Sequence, residues 1–329
     1  RALTAKQRGA LMRAWHDLLI ENIDDLAMIM TAEMGKPIGE SRGEVAYAAA
    51  FIDWYAEEGK RAYGDVIPTH DATKRLITIR QPIGVIAAIA PWNFPQAMIA
   101  RKVGPALAAG CTSVTKPSSV TPISALAAAD LAQRAGIPAG VVNVIPSSRS
   151  SAIGSELTTN PKVRKISFTG STEVGKILMA QSAGTVKKVS MELGGNAPFL
   201  VFDDADLDAA VQGVIDSKYR NTGQTCICAN RVYVQDAVYD DFAKRLAYAV
   251  ETLKVGPGLD ESADIGPLVN DEALEKVESL VSSACDQGAK VLTGGRRHEL
   301  GRTFYVVTVL TDVTQAMDIC LLYTSDAAD

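Results

Sequence analysis

Apolar side chains recur at helical spacing up to Gly59 and then change period. Thr4-Ala5-Lys6-Gln7 has the form of a capping box, and Leu11, Trp15, Leu18 and Leu19 follow on one helical face, so a helix is predicted at once. A second helical pattern through Leu26, Ile29 and Met30 stops at Gly35 with Pro37 beyond. A third carries Val45, Phe51, Ile52, Trp54 and Tyr55 up to Gly59. The aromatic cluster of this third helix reads most simply as core. From Leu76 the period shortens: Leu76 to Ile79 alternates weakly, and Ile83 to Ala90 is a continuous apolar run bounded by prolines, the pattern of a strand buried on both faces.

A βα alternation begins there. Helix Gln96 to Ala109, strand Thr112 to Lys116, helix Thr121 to Ala135, strand Val141 to Ile145, helix Ser151 to Leu157, strand Arg164 to Phe168, helix Thr172 to Ala183 and strand Val186 to Leu193 follow. This order predicts a parallel doubly wound sheet with ligands at the carboxyl ends of its strands. Gly194-Gly195 marks a boundary, after which the alternation resumes. Strands are predicted at Pro198 to Phe202, Arg231 to Val234, Lys290 to Leu292 and Tyr305 to Leu310, with helices at Leu207 to Tyr219, Tyr239 to Leu253 and Glu272 to Gln287. No internal repeat and no low-complexity linker is visible.

Composition narrows the class. At 329 residues, 47% hydrophobic and 22% charged, the chain reads as a soluble globular protein with room for two domains. A net charge of −5 offers no basic stripe to displace counterions from phosphates, so nucleic acid is not an expected partner. The five cysteines are an odd number at irregular spacing, which fits a reducing compartment, and the three histidines show no metal-ligand spacing; no metal site is expected. No run approaches the roughly 18 apolar residues of a membrane span.

Candidate chemistry concentrates at strand ends and on one loop. Cys226, in Asn221-Thr222-Gly223-Gln224-Thr225-Cys226-Ile227-Cys228, is set like a nucleophile on a turn, although a lone loop cysteine is usually inert. Cys228 is either a small buried neighbour or a redox partner; in an extended segment the two Cα atoms would lie up to roughly 7 Å apart, at the outer limit for a disulfide. Asn93 ends a strand in Pro91-Trp92-Asn93-Phe94-Pro95, where its amide serves either a turn or a developing negative charge. Glu192 closes a strand before two glycines, as an ordinary surface turn or, in a poorly solvated cleft, as a general base with a raised pKa. Lys116 ends a strand before Pro117 and should point into a ligand crevice. The turn Phe168 to Lys176 nearly spells a P-loop, but Ile177 stands where a magnesium-binding hydroxyl belongs, and the spacing is not that of the ordinary dinucleotide fingerprint. Arg101 and Arg220 are either solvated helix residues or holders of a carboxylate.

Taken together, the Asn93, Lys116, Glu192 and Cys226 motifs resemble those of aldehyde dehydrogenases, and the segments 83–117 and 199–231 most resemble the succinate-semialdehyde dehydrogenases within them. The resemblance runs from Ala2 to about Asp318. It implies an α/β fold with a Rossmann-type dinucleotide-binding domain over 1–194 and an α/β catalytic domain over 195–319, both doubly wound, with the active site between them. It implies Cys226 as nucleophile, Glu192 as base, Asn93 as oxyanion donor, and cofactor contacts from Pro91, Trp92, Lys116, Ser119, Gly170, Ser171 and Leu193. Ser119 stands where NAD-preferring relatives often carry a ribose-binding glutamate, so NADP is expected over NAD. Arg101 and Arg220 match the arginines that flank the substrate tunnel, which points to succinate semialdehyde, with glutarate semialdehyde as a variant, and to Cys226-Cys228 as a redox pair.

Cysteine usage adds a cytoplasmic expectation, and the family's members are typically dimers or tetramers, so a cytoplasmic homo-oligomer with a small-molecule aldehyde as its partner is expected. Other readings are a P-loop nucleotide hydrolase and a non-catalytic fragment. Both ends of the family pattern are missing from the stretch, and Cys320 to Asp329, which also matches the translation of a transposon-end adaptor, is expected to be non-native read-through.

Overall fold

The Gln7 N–H donates to Thr4 Oγ1 at 3.3 Å and the Thr4 N–H to Gln7 Oε1 at 2.9 Å, closing the capping box that opens α1 (Ala5–Glu21). The computed structural model describes residues 2–321. α2 (Ile23–Met34) and α3 (Ile38–Glu58) end beside the glycines that the sequence pattern marked. β1 (Val66–Ile67) and β2 (Leu76–Ile77) then form an antiparallel ribbon. The weak alternation at Leu76 is thus a strand, but its partner β1 is too short to show any period and was not foreseen.

β3 (Val85–Ile89), α4 (Ala97–Ala108), β4 (Thr112–Lys116), α5 (Pro122–Arg134), β5 (Val142–Val144), α6 (Ser150–Thr159), β6 (Val163–Thr169), α7 (Thr172–Ala183) and β7 (Lys188–Glu192) alternate as the periodicity predicts. The five strands form one parallel sheet in the order β5-β4-β3-β6-β7. The chain enters at β3, runs outward through β4 and β5, then returns to β6 on the other side. The carboxyl ends of β3 and β6 therefore flank a topological switch point, the usual place for a ligand in such a sheet. Ile89 pairs with Lys116 on one side and Phe168 on the other, and Thr169 pairs with Glu192, so the candidate residues of these strands share one edge.

Contacts divide the chain into two units, one holding residues up to Leu26, Arg42–Thr169 and Glu173–Glu192, the other Ala27–Ser41, Gly170–Thr172 and the chain from Leu193 onward. In the second unit β8 (Ala197–Val201), α8 (Leu207–Lys218), β9 (Ala229–Val234) and α9 (Tyr239–Glu251) pack around Val201, Val211, Val214, Phe242, Leu246 and Val250, with β8 and β9 parallel. Asp206 caps α8 through the N–H groups of Asp208 and Ala209, and Asn270 caps α10 (Asp271–Asp286) through that of Ala273. β10 (Lys290–Thr293) pairs antiparallel with β11 (Val309–Thr311).

Among the described residues the strands of this unit thus fall into two separate pairs, and the strand expected from Tyr305 shrinks to β11. The reason is local: the Gly295 N–H donates to Thr308 Oγ1 at 2.9 Å and the Val306 N–H to Arg296 O at 3.0 Å, so 305–308 engages an irregular loop in place of a ladder. α11 (Asp318–Leu321) contains Cys320 and Leu321; the rest of the tail expected to be non-native, 322–329, lies outside the described residues. No helix among the described residues is long and apolar enough to cross a membrane.

Candidate active site

The segment after β3 is deeply enclosed. Pro91, Trp92 and Asn93 are buried, with Asn93 only 2% exposed, and the Ala90 N–H donates to Lys116 O at 3.1 Å, tying the ends of β3 and β4 together. Phe94-Pro95-Gln96 offers no side chain to cap α4. A buried carboxylate from α3 does so instead: Glu44 Oε1 accepts the N–H of Gln96 at 2.9 Å and of Ala97 at 3.1 Å. Farther along α4, Lys102 is buried and its ammonium donates to Thr169 Oγ1 at the end of β6. Neither Glu44 nor Lys102 was singled out in the sequence, because nothing local distinguishes a partner brought in by tertiary contact.

Lys116 is 7% exposed, and its Nζ donates to Ser150 Oγ, on the first residue of α6, at 2.8 Å. Burial alone pushes its pKa down, with no carboxylate opposing that shift. Ser119, in the loop beyond, is exposed. Arg101 is half-buried on α4, with its guanidinium carbon 5.5 Å from the centre of the Phe51 ring. Glu192 is exposed at the end of β7, so the poorly solvated environment expected for it is not found. Among the described residues β7 is an edge strand with β6 as its one neighbour.

In the second unit Gly170 and Ser171 are buried at the entry to α7, and Leu193 is half-buried. The loop that leads to Cys226 is a run of left-handed backbone: Asn221, Thr222 and Gly223 have φ of 53°, 58° and 75°. Only glycine adopts that region freely, so the first two positions must be held. Glu40 Oε2 accepts the Asn221 N–H at 2.7 Å, Thr222 Oγ1 accepts the Gly266 N–H at 3.0 Å, and Gln224 Oε1 accepts the Val269 N–H at 3.0 Å. Cys226 then sits half-buried on a turn with Ile227, 68% exposed, beside it. A Cβ on Gly195 would lie 3.3 Å from Cys226 O, so the second glycine of the boundary pair is where the chain passes against the Cys226 backbone.

Cys228 is 1% exposed, and its Sγ donates to the carbonyls of Lys218 and Gly223 at 3.3 Å each and lies 2.6 Å from Thr225 Oγ1. The extended geometry assumed for a Cys226-Cys228 bridge is absent, since Cys226 and Ile227 form a turn. All five cysteines are free, and bridging this pair would first have to break the contacts that bury Cys228. Arg220 is exposed and lines an open groove of about 490 Å³ with Glu40, Tyr219 and Ile265. Burial pushes the neighbouring Tyr219 phenol well above its usual range. Among the described residues no group of three or more His, Cys, Asp or Glu side chains could hold a metal ion.

The profile of the aldehyde dehydrogenase family matches residues 1–321. The chain belongs to the aldehyde dehydrogenase family. It is 62% identical to the Escherichia coli K12 succinate-semialdehyde dehydrogenase [NADP(+)] over 313 residues, 95% of this chain and 65% of that protein. It is 61% identical to the Pseudomonas aeruginosa glutarate-semialdehyde dehydrogenase, again over 95% of this chain and 65% of the relative. The crystal structure of a Burkholderia pseudomallei succinate-semialdehyde dehydrogenase superposes with a TM-score of 0.95 at 61% identity, covering 97% of this chain and 66% of that one. The chain thus spans about 65% of the length of these curated relatives. Membership decides against a P-loop hydrolase.

As an aldehyde dehydrogenase the chain is expected to take a nicotinamide dinucleotide, and one feature of its first unit fits one. Lys116 is a buried ammonium with no carboxylate partner among the described residues. Such a charge is costly unless something anionic or polar completes it.

Glu40 is the contact the sequence could least reveal, since 181 residues separate it from Asn221. Its charge-assisted hydrogen bond to a strained position is worth about 1.5–3 kcal/mol. Glu40→Ala is therefore expected to destabilise the protein by about that amount in urea titration, and Glu40→Gln, which keeps the acceptor, to restore at least half. Equal losses in the two variants would show that the Asn221 contact is not what matters there.

Proposed function

We propose that the full-length protein oxidises a carboxylate-bearing semialdehyde to the acid with NADP, succinate semialdehyde being the first choice of substrate. Residues 1–194 form the cofactor domain and 195–319 the catalytic domain. Cys226 attacks the aldehyde carbon as thiolate, while the Asn93 amide and the Cys226 N–H hold the oxyanion. The nicotinamide, when bound, accepts the hydride. Glu192, whose exposed position gives water access to it, activates the water that cleaves the Cys226 thioester. Lys116 and Ser119 hold the adenosine end, with no carboxylate at residue 119 to repel a 2′-phosphate; Pro91, Trp92, Gly170, Ser171 and Leu193 line the rest, and NAD is the poorer cofactor.

The observation that carries the substrate reading is Arg101. Arg101 is half-buried and its guanidinium has no carboxylate partner among the described residues, so its N–H donors are available to a ligand's carboxylate. Arg220, on the nucleophile loop, is assigned the same task. Glutarate semialdehyde is the second reading, favoured by the nearly equal identity to a glutarate-semialdehyde dehydrogenase and by the modest cost of one extra methylene. We extend the proposal to a cytoplasmic homo-oligomer, dimer or tetramer. Its five cysteines are unbridged, and the β1-β2 ribbon leaves Val66 75% and Ile77 67% exposed, an apolar surface that a second copy would cover.

The full-length protein is expected to reduce NADP faster than NAD with succinate semialdehyde. Arg101→Ala should raise KM for that substrate about tenfold or more while leaving butanal within about twofold. If butanal suffers equally, Arg101 is structural and the carboxylate reading falls.

A further inference from the structure

We propose that Phe51, backed by Tyr47, is a positioning residue that presents the in-plane donors of Arg101 to the substrate carboxylate. The proposal rests on the reading of Arg101 as the carboxylate holder. An arginine on a long flexible stem samples many directions, and a fork that must meet a carboxylate with two parallel hydrogen bonds gains from being held beforehand. A hydrogen-bond acceptor could hold it only by occupying some of the donors the substrate needs. An aromatic ring does not: it attracts the flat face of the guanidinium and leaves the N–H groups, which lie in the plane, free to bond outward.

The Arg101–Phe51 separation suits such a contact. The Arg101 guanidinium carbon is 5.5 Å from the Phe51 ring centre, inside the roughly 6 Å reach of a cation-π contact, and no hydrogen bond or ion pair engages Arg101 among the described residues. The Phe51 ring has a backing of its own: Tyr47, one turn earlier on α3, lies against it with ring centres 4.8 Å apart and planes tilted by 57°. α3 and α4 are pinned together on either side of this contact. At one end Glu44 caps α4 through Gln96 and Ala97. At the other, Gly104 lies so close to α3 that a Cβ there would sit 3.3 Å from the Tyr55 ring and 3.6 Å from Phe51 O. Glu44, Tyr47, Phe51 and Tyr55 form one stripe of α3, and Arg101 lies between the two pins. The pattern that looked like core in the sequence is therefore partly a support for a charged side chain.

The test compares Phe51→Leu, Phe51→Tyr and Arg101→Ala in the full-length enzyme, with succinate semialdehyde and butanal as substrates and thermal unfolding as a control. Leucine keeps apolar bulk and loses the π face; tyrosine keeps both. The expected result is a KM for succinate semialdehyde raised about three- to tenfold in Phe51→Leu, with kcat, butanal kinetics and Tm near wild type, and recovery in Phe51→Tyr. An unchanged substrate ratio in Phe51→Leu, beside a selective loss in Arg101→Ala, overturns the proposal and leaves the carboxylate reading intact. Equal loss for both substrates in Phe51→Leu, or no recovery with tyrosine, reduces Phe51 to packing and also overturns it. Equal loss for both substrates in Arg101→Ala overturns the proposal together with the reading beneath it.

Discussion

Replacing Cys226 by alanine in the full-length protein is expected to lower aldehyde oxidation by about 10⁴-fold or more, while NADP binding stays within about twofold. The size of the loss follows from the proposed mechanism: without a thiolate there is no covalent adduct from which hydride can leave, and no other group on the loop is placed to substitute. Cys228 is buried with its Sγ turned to the carbonyls of Lys218 and Gly223, and Thr225 is buried beside it. Alanine in place of a half-buried turn residue leaves the Glu40, Thr222 and Gln224 contacts standing, so the loss would not come from unfolding. Matched alkylation of wild type and variant supplies the control, since the wild type should lose activity in step with modification of Cys226. Turnover retained within tenfold of wild type would place the nucleophile elsewhere.

Glu192→Gln should show a different signature. In the proposed mechanism hydride transfer precedes the step that needs the base, so the first turnover is expected to be spared and deacylation to slow by about 10²- to 10⁴-fold. Rapid mixing with substrate and NADP is then expected to give a burst of NADPH close to one per active site, followed by a stall. Glutamine keeps the size and polarity of an exposed strand-end residue, and it removes the carboxylate that accepts a proton from water. Loss of burst and steady rate in equal measure would contradict the base role.

How legible the protein is in its sequence depends on how far each determinant reaches along the chain. The capping box of α1, the βα alternation through β7 and the Cys226 turn depend on neighbours a few residues away, so periodicity and turn chemistry expose them. Two-residue strands and irregular loops carry too little pattern: β1 shows no period, and the apolar run from Tyr305 extends well beyond the strand it forms. The motifs named the candidate chemical residues, but their environments came from elsewhere. Glu192 proved exposed because β7 lies at the sheet edge, and Cys228 proved buried because α8 and the left-handed turn offer it carbonyls.

The supports were the least legible part. Glu44 reaches Gln96 across 52 residues and Glu40 reaches Asn221 across 181, and nothing in the sequence separates either carboxylate from solvated ones. Phe51 was read as core because its spacing is that of a packed helix face, and only the crossing of α3 and α4, allowed by the bare backbone of Gly104, brings its ring to Arg101. The sequence by itself determined the order of elements, the family and the identity of the candidate nucleophile, base and oxyanion donor, because these follow from local pattern and short motifs. Tertiary structure alone decided which side chains hold them, because a hydrogen bond or ring contact between distant segments is specified by the packing of whole elements and leaves no local trace.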